Sequence, residues 1–445
     1  MININYHSNT GNLSLELFSD ALAALRGYAN SELQSSVIFS AGLNPRLYAY
    51  LETFSDFFPD KNQHINKRVI IKVSDFRSAS IQGRFLAKKG IWVSEFRIES
   101  GLNCGGHAFA TDGFLLGPVL EEFTEKSNEL ISELKVITNA ALTAKQQPIL
   151  HSDETIRITV QGGIGTSAED CFLRKQYNVD ATGWGSPFLL VPEATNVDTS
   201  TLMNLASAEP SDYYLSGASP LGVPFNNFRK SSAEKQRNTR IANGKPGSPC
   251  MRKHLSFNTE FTTKTVCTAS RKYQNLKIHQ LNSLQLATTV YQQKLEEITD
   301  KDCLCEGLSA VGYQLNNPKQ KLNMSAVTIC PGPNLAYFSG VFTLEQMVDH
   351  IYGRNNTLNS LERPHMFVNE LKMYIDYLQK KIQKNTEPLS VKEVKYYTEF
   401  KQNLLKGIVY YQGLKELKPW NELLNTYTVI LNEISIESFD PQLAS

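Results

Sequence analysis

The stretch "IRITVQGGIGTSAEDCFLRKQY", residues 156–177, decides how the rest of the chain is read. Its first part is an apolar, β-rich run, its centre carries Gly162, Gly163 and Gly165, and its last part spaces apolar residues as a helix does. Glycines where a strand turns into a helix let the backbone come close to an anion, with amides and the helix N-terminus pointing at it. The same glycines also serve a tight turn that needs positive φ, and this stretch alone leaves both readings open.

Four further β-rich runs lie around it: "SSVIFSAGL" (35–43), "RVIIKVSD" (68–75), "IWVSEFRIESG" (91–101) and "ATGWGSPFLLVP" (181–192). Segments of helical spacing separate them, among them "SASIQGRFLAKKG" and the long "GPVLEEFTEKSNELISELKVITNAALTAK". Strands alternating with helices imply parallel pairing, hence an α/β sheet or a (β/α) barrel of the TIM type. The run after the quoted stretch again brings glycines, Gly183 and Gly185, to a strand end, next to Ser186. In a (β/α) barrel the loops after strands seven and eight often share a phosphate site at the C-terminal face. Two consecutive glycine-bearing strand ends supply both halves of such a cradle.

The chain has 445 residues, 41% hydrophobic and 20% charged, which is ordinary globular usage with ample core material. A formal net charge of +1 argues against blanket electrostatic attraction to nucleic acid or membrane. No run approaches the roughly 18–20 apolar residues of a membrane span. The N-terminus lacks the basic start and apolar core of a secretory signal, and seven cysteines suit a reducing compartment, so a cytoplasmic protein is expected.

The order "GLNCGGH", "VQGGIGT", "GWGSPFLLVPEA" over residues 90–195 resembles the nitronate monooxygenase (2-nitropropane dioxygenase) family of FMN-dependent barrels and the related flavin-dependent enoyl reductases. The resemblance covers under a quarter of the chain. It implies that Gly162, Gly163, Ile164 and Gly165, with Gly183, Gly185 and Ser186, form the FMN phosphate site. It also implies that Gly105 and Gly106 carry His107 over the flavin ring, where it acts as the proton-transfer residue. An imidazole suits that task because its ordinary pKa of about 6.5 lets it take and return a proton near neutral pH. Where the family has an acidic or alanine-type residue before the GGH loop, this chain has Cys104, which serves as a second acid, a redox thiol or a small filler. On this alignment "SSVIFSAGL" is strand four, and the residues before it do not hold three βα units. The barrel is therefore expected to be reduced, completed by a homo-oligomer or partner chain, or preceded by further sequence.

Beyond residue 195 the character changes. Residues 229–277 are rich in Lys, Arg, Ser, Thr and Asn, with only Glu234 and Glu260 as acids. They read as an irregular excursion. Arg229, Lys230, Arg237, Arg240, Arg252 and Lys253 either receive a small-molecule substrate, phosphorylated or a thioester, or belong to a solvated loop. The stretch 210–229 mixes aromatics, Gly and Pro and suits part of a substrate lid. Cys250, Cys267, Cys303, Cys305 and Cys330 sit near Gly and Pro in irregular sequence, the setting iron–sulfur clusters and structural metals use, although buried inert thiols are also common. Helical spacing dominates from about 275 onward.

The expected organisation is a barrel portion at 1–228, a basic cysteine-bearing region at 229–335 and a helical domain at 336–445. The leading functional expectation is an FMN-dependent oxidoreductase. The alternatives are a flavin plus iron–sulfur enzyme, pairing cofactors as glutamate synthase does, and a non-catalytic barrel fragment that serves as an assembly module.

Overall fold

Parallel strands need long crossovers, and this sequence supplies a helical segment for each one. The computed structural model describes residues 19–103, 112–251, 253–312, 326–383 and 389–436. It contains a five-stranded sheet of β1 (Ser36–Phe39), β2 (Arg68–Val73), β3 (Val93–Glu99), β4 (Arg157–Gln161) and β5 (Ala181–Gly183), each hydrogen-bonded to the next in chain order and all parallel. The crossovers hold α2 (Pro45–Tyr50), α3 (Phe76–Ala87), α4 (Leu116–Ala144) and α5 (Ser167–Tyr177), and α1 (Asp20–Ala29) precedes the sheet. Caps fix two helix starts: Asp75 accepts from the Ser78 amide at 2.6 Å and Asn44 from the Leu47 amide at 3.2 Å. β5 is shorter than the run 181–192 suggests. Pro187 has no amide to give a ladder, and residues Ser186–Leu190 coil into a 3-10 turn instead.

The chain divides into two units that interleave along the sequence. The first holds residues through Glu99, Leu116–Gln161 and Cys171–Gly183, and so contains the parallel sheet. The sheet has two characters. Ile71, Val73, Phe96, Ile98 and Val160 are fully buried. The absent side chain of Gly83 lets α3 settle there: a Cβ would lie 3.1 Å from Phe96 and 2.8 Å from Leu134 of α4. The alternate positions are polar and bonded to one another. Glu95 accepts from Arg97 at 2.7 Å and from Thr159 at 2.7 Å, and Glu99 accepts from Lys72 at 3.0 Å and Gln161 at 2.7 Å.

The second unit holds Ser100–Leu115, Gly162–Asp170 and Trp184 onward. It contains an antiparallel hairpin, β6 (Tyr213–Ser216) and β7 (Phe225–Phe228), followed mostly by helices. Within 229–277 the structure has more order than the composition suggests: Ser231 caps a helix Ser232–Ala242, and Ser270 caps Arg271–Asn282. The helices Met366–Gln383 and Val391–Gly413 pack through aromatic rings, with Phe367 stacked on Tyr411 at 5.0 Å and Tyr374 edge-on to Phe400 at 5.9 Å. Leu115 fills the space left by Gly407, where a Cβ would approach it to 2.5 Å. No helix among the described residues is long and apolar enough to cross a membrane.

Phe96→Ala removes a ring with no exposure from the centre of β3, and such truncations cost about 3–5 kcal/mol. The expected outcome is a loss of that size in urea unfolding, against no more than about 0.5 kcal/mol for Val136→Ala, Val136 being 71% exposed on α4.

Candidate functional site

The four residues after β4, Gly162 to Gly165, are buried. Gly162 and Gly163 take φ of +100° and +79°, a conformation side chains disfavour. Space forbids side chains as well. A Cβ would lie 2.9 Å from Asn103 at Gly162, 2.7 Å from Leu102 at Gly163 and 2.5 Å from the Arg363 guanidinium at Gly165.

Three successive carbonyls of this loop are each engaged by a different side chain. Arg363 donates to the Gly163 oxygen at 2.7 Å, Asn334 to the Ile164 oxygen at 3.0 Å, and His350 to the Gly165 oxygen at 2.9 Å. The His350 donor is Nε2–H, because Nδ1 already accepts from the Thr357 amide at 3.2 Å. On the donor side, the Gly165 amide goes to Glu169 at 2.8 Å. The amides of Gly162, Gly163 and Ile164 meet no acceptor among the described residues.

Glu169 lies in the first turn of α5, where Thr166 receives its amide at 3.1 Å. Besides Gly165, its carboxylate takes Arg363 at 2.7 Å and the Met366 amide at 2.7 Å. The Glu169–Arg363 pair is 4% and 5% exposed. Arg363 also donates to the Asn334 oxygen at 2.9 Å, so one guanidinium ties the loop, α5 and the turn at 334 together. His350 is buried, and burial is the largest influence holding its pKa below the usual value, with Arg363 acting in the same direction. Burial lowers His365 likewise.

The segment after β5 reaches the same place. Trp184 stands edge-on to His350 with ring centres 5.9 Å apart, followed by exposed Gly185 and buried Ser186. His350 thus touches both glycine-bearing loops. Gly183 has a different part, inside the sheet unit: a Cβ there would lie 2.9 Å from Cβ of Gln161, the residue that donates to Glu99.

His107, Cys104, Gly105 and Gly106 lie outside the described residues, as does Arg252. The start of their loop is held by buried Glu370, which accepts from Ser100 Oγ at 2.8 Å and the Gly101 amide at 2.9 Å. Glu370, Glu169, Arg363, Asn334 and His350 escaped the sequence reading, since no local motif marks them.

The cysteines gather in part. The thiols of Cys250 and Cys267 are hydrogen-bonded, as are those of Cys303 and Cys305, and the two pairs lie near enough to influence each other. The contact with Cys267 draws Cys250 down to about 7, while that contact and burial push Cys267 up. Cys250 holds φ of +51°, unusual outside glycine. Cys330 packs in an apolar cluster with Ala218, Phe225 and Leu304. No three His, Cys, Asp or Glu side chains among the described residues are grouped as a single metal ion requires. The basic residues are largely paired: Lys230 with Asp212 at 2.7 Å, and Arg237 with Glu234 at 2.9 Å.

Glu169→Gln keeps the shape but leaves the Arg363 charge buried without its counter-ion, a change that costs about 3–5 kcal/mol. Chemical denaturation is expected to show that loss, with part of it recovered in Glu169→Gln/Arg363→Met. The histidines set a pH dependence. Their folded pKa values lie below the unfolded value of about 6.5, so the unfolded chain binds more protons as pH falls through that value. Stability is full above about 6.5 and falls on acidification. Urea midpoints at pH 7.5, 6.5 and 5.5 are expected to decline in the natural chain and to decline less in His350→Gln.

Comparison finds no family model that matches this chain and no curated protein that matches it. Among solved structures, a nitroalkane oxidase from Streptomyces ansochromogenes is similar over part of its length, at 14% identity and a TM-score of 0.27, covering 46% of this chain and 48% of that one. The chain therefore spans about half the length of that protein.

Proposed function

We propose that this chain is a flavin-dependent oxidoreductase that holds the FMN phosphate on the amides of Gly162, Gly163 and Ile164. The observation that carries this reading is the set of three successive buried amides with no acceptor among the described residues. Buried amides are nearly always paired, so such a set calls for an outside group with several acceptor oxygens. Successive amides around positive-φ glycines form the concave nests that take phosphates. Arg363 holds the Gly163 carbonyl, which shares its peptide plane with the Ile164 amide, and so pre-organises that amide and lowers the cost of binding. Gly185 and Ser186, on the neighbouring loop that reaches His350, extend the cradle.

The flavin, when bound, supplies the hydride chemistry. The chain's own part is to fix the phosphate and to move a proton. The resemblance of the "NCGGH" loop assigns the proton to His107, with Cys104 beside it as a second exchangeable group. Glu370 anchors the residues that lead into that loop.

A second reading adds an iron–sulfur cluster, and one observation favours it. The thiols of Cys250 and Cys267 meet, those of Cys303 and Cys305 meet, and the two pairs influence each other, and cysteine thiolates are what such clusters take as ligands. Cys330, in the apolar cluster with Leu304, is the fifth candidate.

One absorbance spectrum from about 300 to 700 nm separates the readings, because a flavin alone is yellow and a cluster adds broad absorption. Gly163→Ala must displace Leu102 and is expected to weaken FMN binding at least about tenfold, whereas His107→Ala keeps the colour and loses turnover. Colourless protein that fails to take up added FMN ends the first reading. Negligible iron, or an iron signal unaltered in Cys303→Ser, ends the second.

A further inference from the structure

The second unit encloses a cavity of about 530 Å³ with three walls. The β6–β7 hairpin gives Tyr213, Tyr214 and Leu215; the turn at 331–337 gives prolines and Tyr337; and the third wall is a stripe of the helix Met366–Gln383. That stripe, Asn369, Lys372, Met373, Asp376, Tyr377 and Lys380, follows helical spacing opposite the face buried by Phe367, Leu371 and Leu378. The volume is that of an ordinary small-molecule site.

The charges of the cavity are unevenly placed. Arg229, Lys372 and Lys380 line it and are exposed, against one lining carboxylate, Asp376, which is bonded to Lys372. Asp212 lies near Arg229 but is bonded to Lys230 at 2.7 Å. The Arg229 guanidinium carbon lies over the Tyr214 ring, 4.0 Å from its centre, and Nε donates to the Ser211 carbonyl at 3.1 Å. Neither terminal nitrogen of Arg229 has a partner among the described residues. Lys380 donates to the Leu215 carbonyl at 3.2 Å, which places a second cation where the helix meets the hairpin. The exposed cations and the tyrosine, proline and methionine walls give the cavity a positive mouth and an apolar body.

We propose that this cavity binds an amphipathic anion, with its apolar body between the hairpin and the Met366–Gln383 helix and its carboxylate or phosphate on Arg229 and Lys380. A guanidinium held over a ring and by its Nε bond is matched in shape to either group, since both present paired oxygens to its fork. The assignment goes beyond the flavin reading and is independent of it, because the cavity and its cations are there whether or not a cofactor occupies the glycine loop.

Calorimetric titration of the full-length protein with decanoate, decyl phosphate and decan-1-ol tests it. The two anions are expected to bind one to one and at least about tenfold more tightly than the alcohol, since charge-assisted bonds at an exposed mouth are worth roughly a factor of ten. Raising the salt concentration is expected to narrow that gap. Arg229→Gln is expected to weaken both anions about tenfold and to leave the alcohol unchanged. Met373→Trp, which fills the body, is expected to abolish all three; if it fails to fold, as judged by circular dichroism, Lys380→Gln takes its place with an expected loss for the anions alone. Binding of only one of the two anions still supports the site and names the head group that it reads. Equal affinity for alcohol and anions, no binding by any of the three, or unchanged anion affinity in Arg229→Gln overturns the proposal.

Discussion

Arg363, Asn334 and His350 fix the three peptide planes that join residues 163 to 166, and the shape of the candidate site depends on that fixation. A glycine loop is the most freely moving backbone a chain contains, and left alone it would spread over many conformations. Engaging each carbonyl from the side closes off that freedom. It also decides which way the next residue's amide faces, since the C=O of one residue and the N–H of the next point in opposite directions from one peptide plane. The orientation of the Ile164 amide is thus a product of Arg363, far along the chain.

Burial makes this arrangement costly and therefore specific. Arg363 is taken out of water, and a lone guanidinium there is strongly unfavourable. Glu169 supplies the counter-charge, and its two oxygens also accept the amides of Gly165 and Met366. The pair neutralises itself and leaves no net cation beneath the loop. Attraction for an anion at this loop would then rest on backbone amides rather than on a free positive side chain. His350, neutral and with its tautomer set by Thr357, adds a donor without adding a charge.

Much of the framework is legible in the sequence because it is local. All five strand runs, including the alternation of Glu95, Phe96, Arg97, Ile98 and Glu99, carry their own periodicity, and the helices between them do the same. The glycines at 162, 163 and 165 are legible for the same reason: the backbone conformation and the crowding that demand them are set within a few residues. The side chains that complete the site are not, because a buried ion pair such as Glu169–Arg363 has no sequence period and looks like two ordinary surface charges. Gly183 has a second demand on it that the sequence does not show, the Gln161 side chain beside it in the sheet. The basic run after 229 reads as free charge until its carboxylate partners, Asp212 and Glu234, are seen.

The segment 331–337 contains a short 3-10 helix, Pro333–Tyr337. Asn334, in that helix, is buried and bonds the Ile164 carbonyl and Arg363, while it also lines the cavity between the hairpin and the Met366–Gln383 helix. Gly332, at φ of +64°, and the prolines around it bend the chain so that neighbouring residues face different ways. Tyr337 and Asn369, whose side chains meet at 3.5 Å, close the same wall against the helix. The glycine loop and the cavity therefore share Asn334.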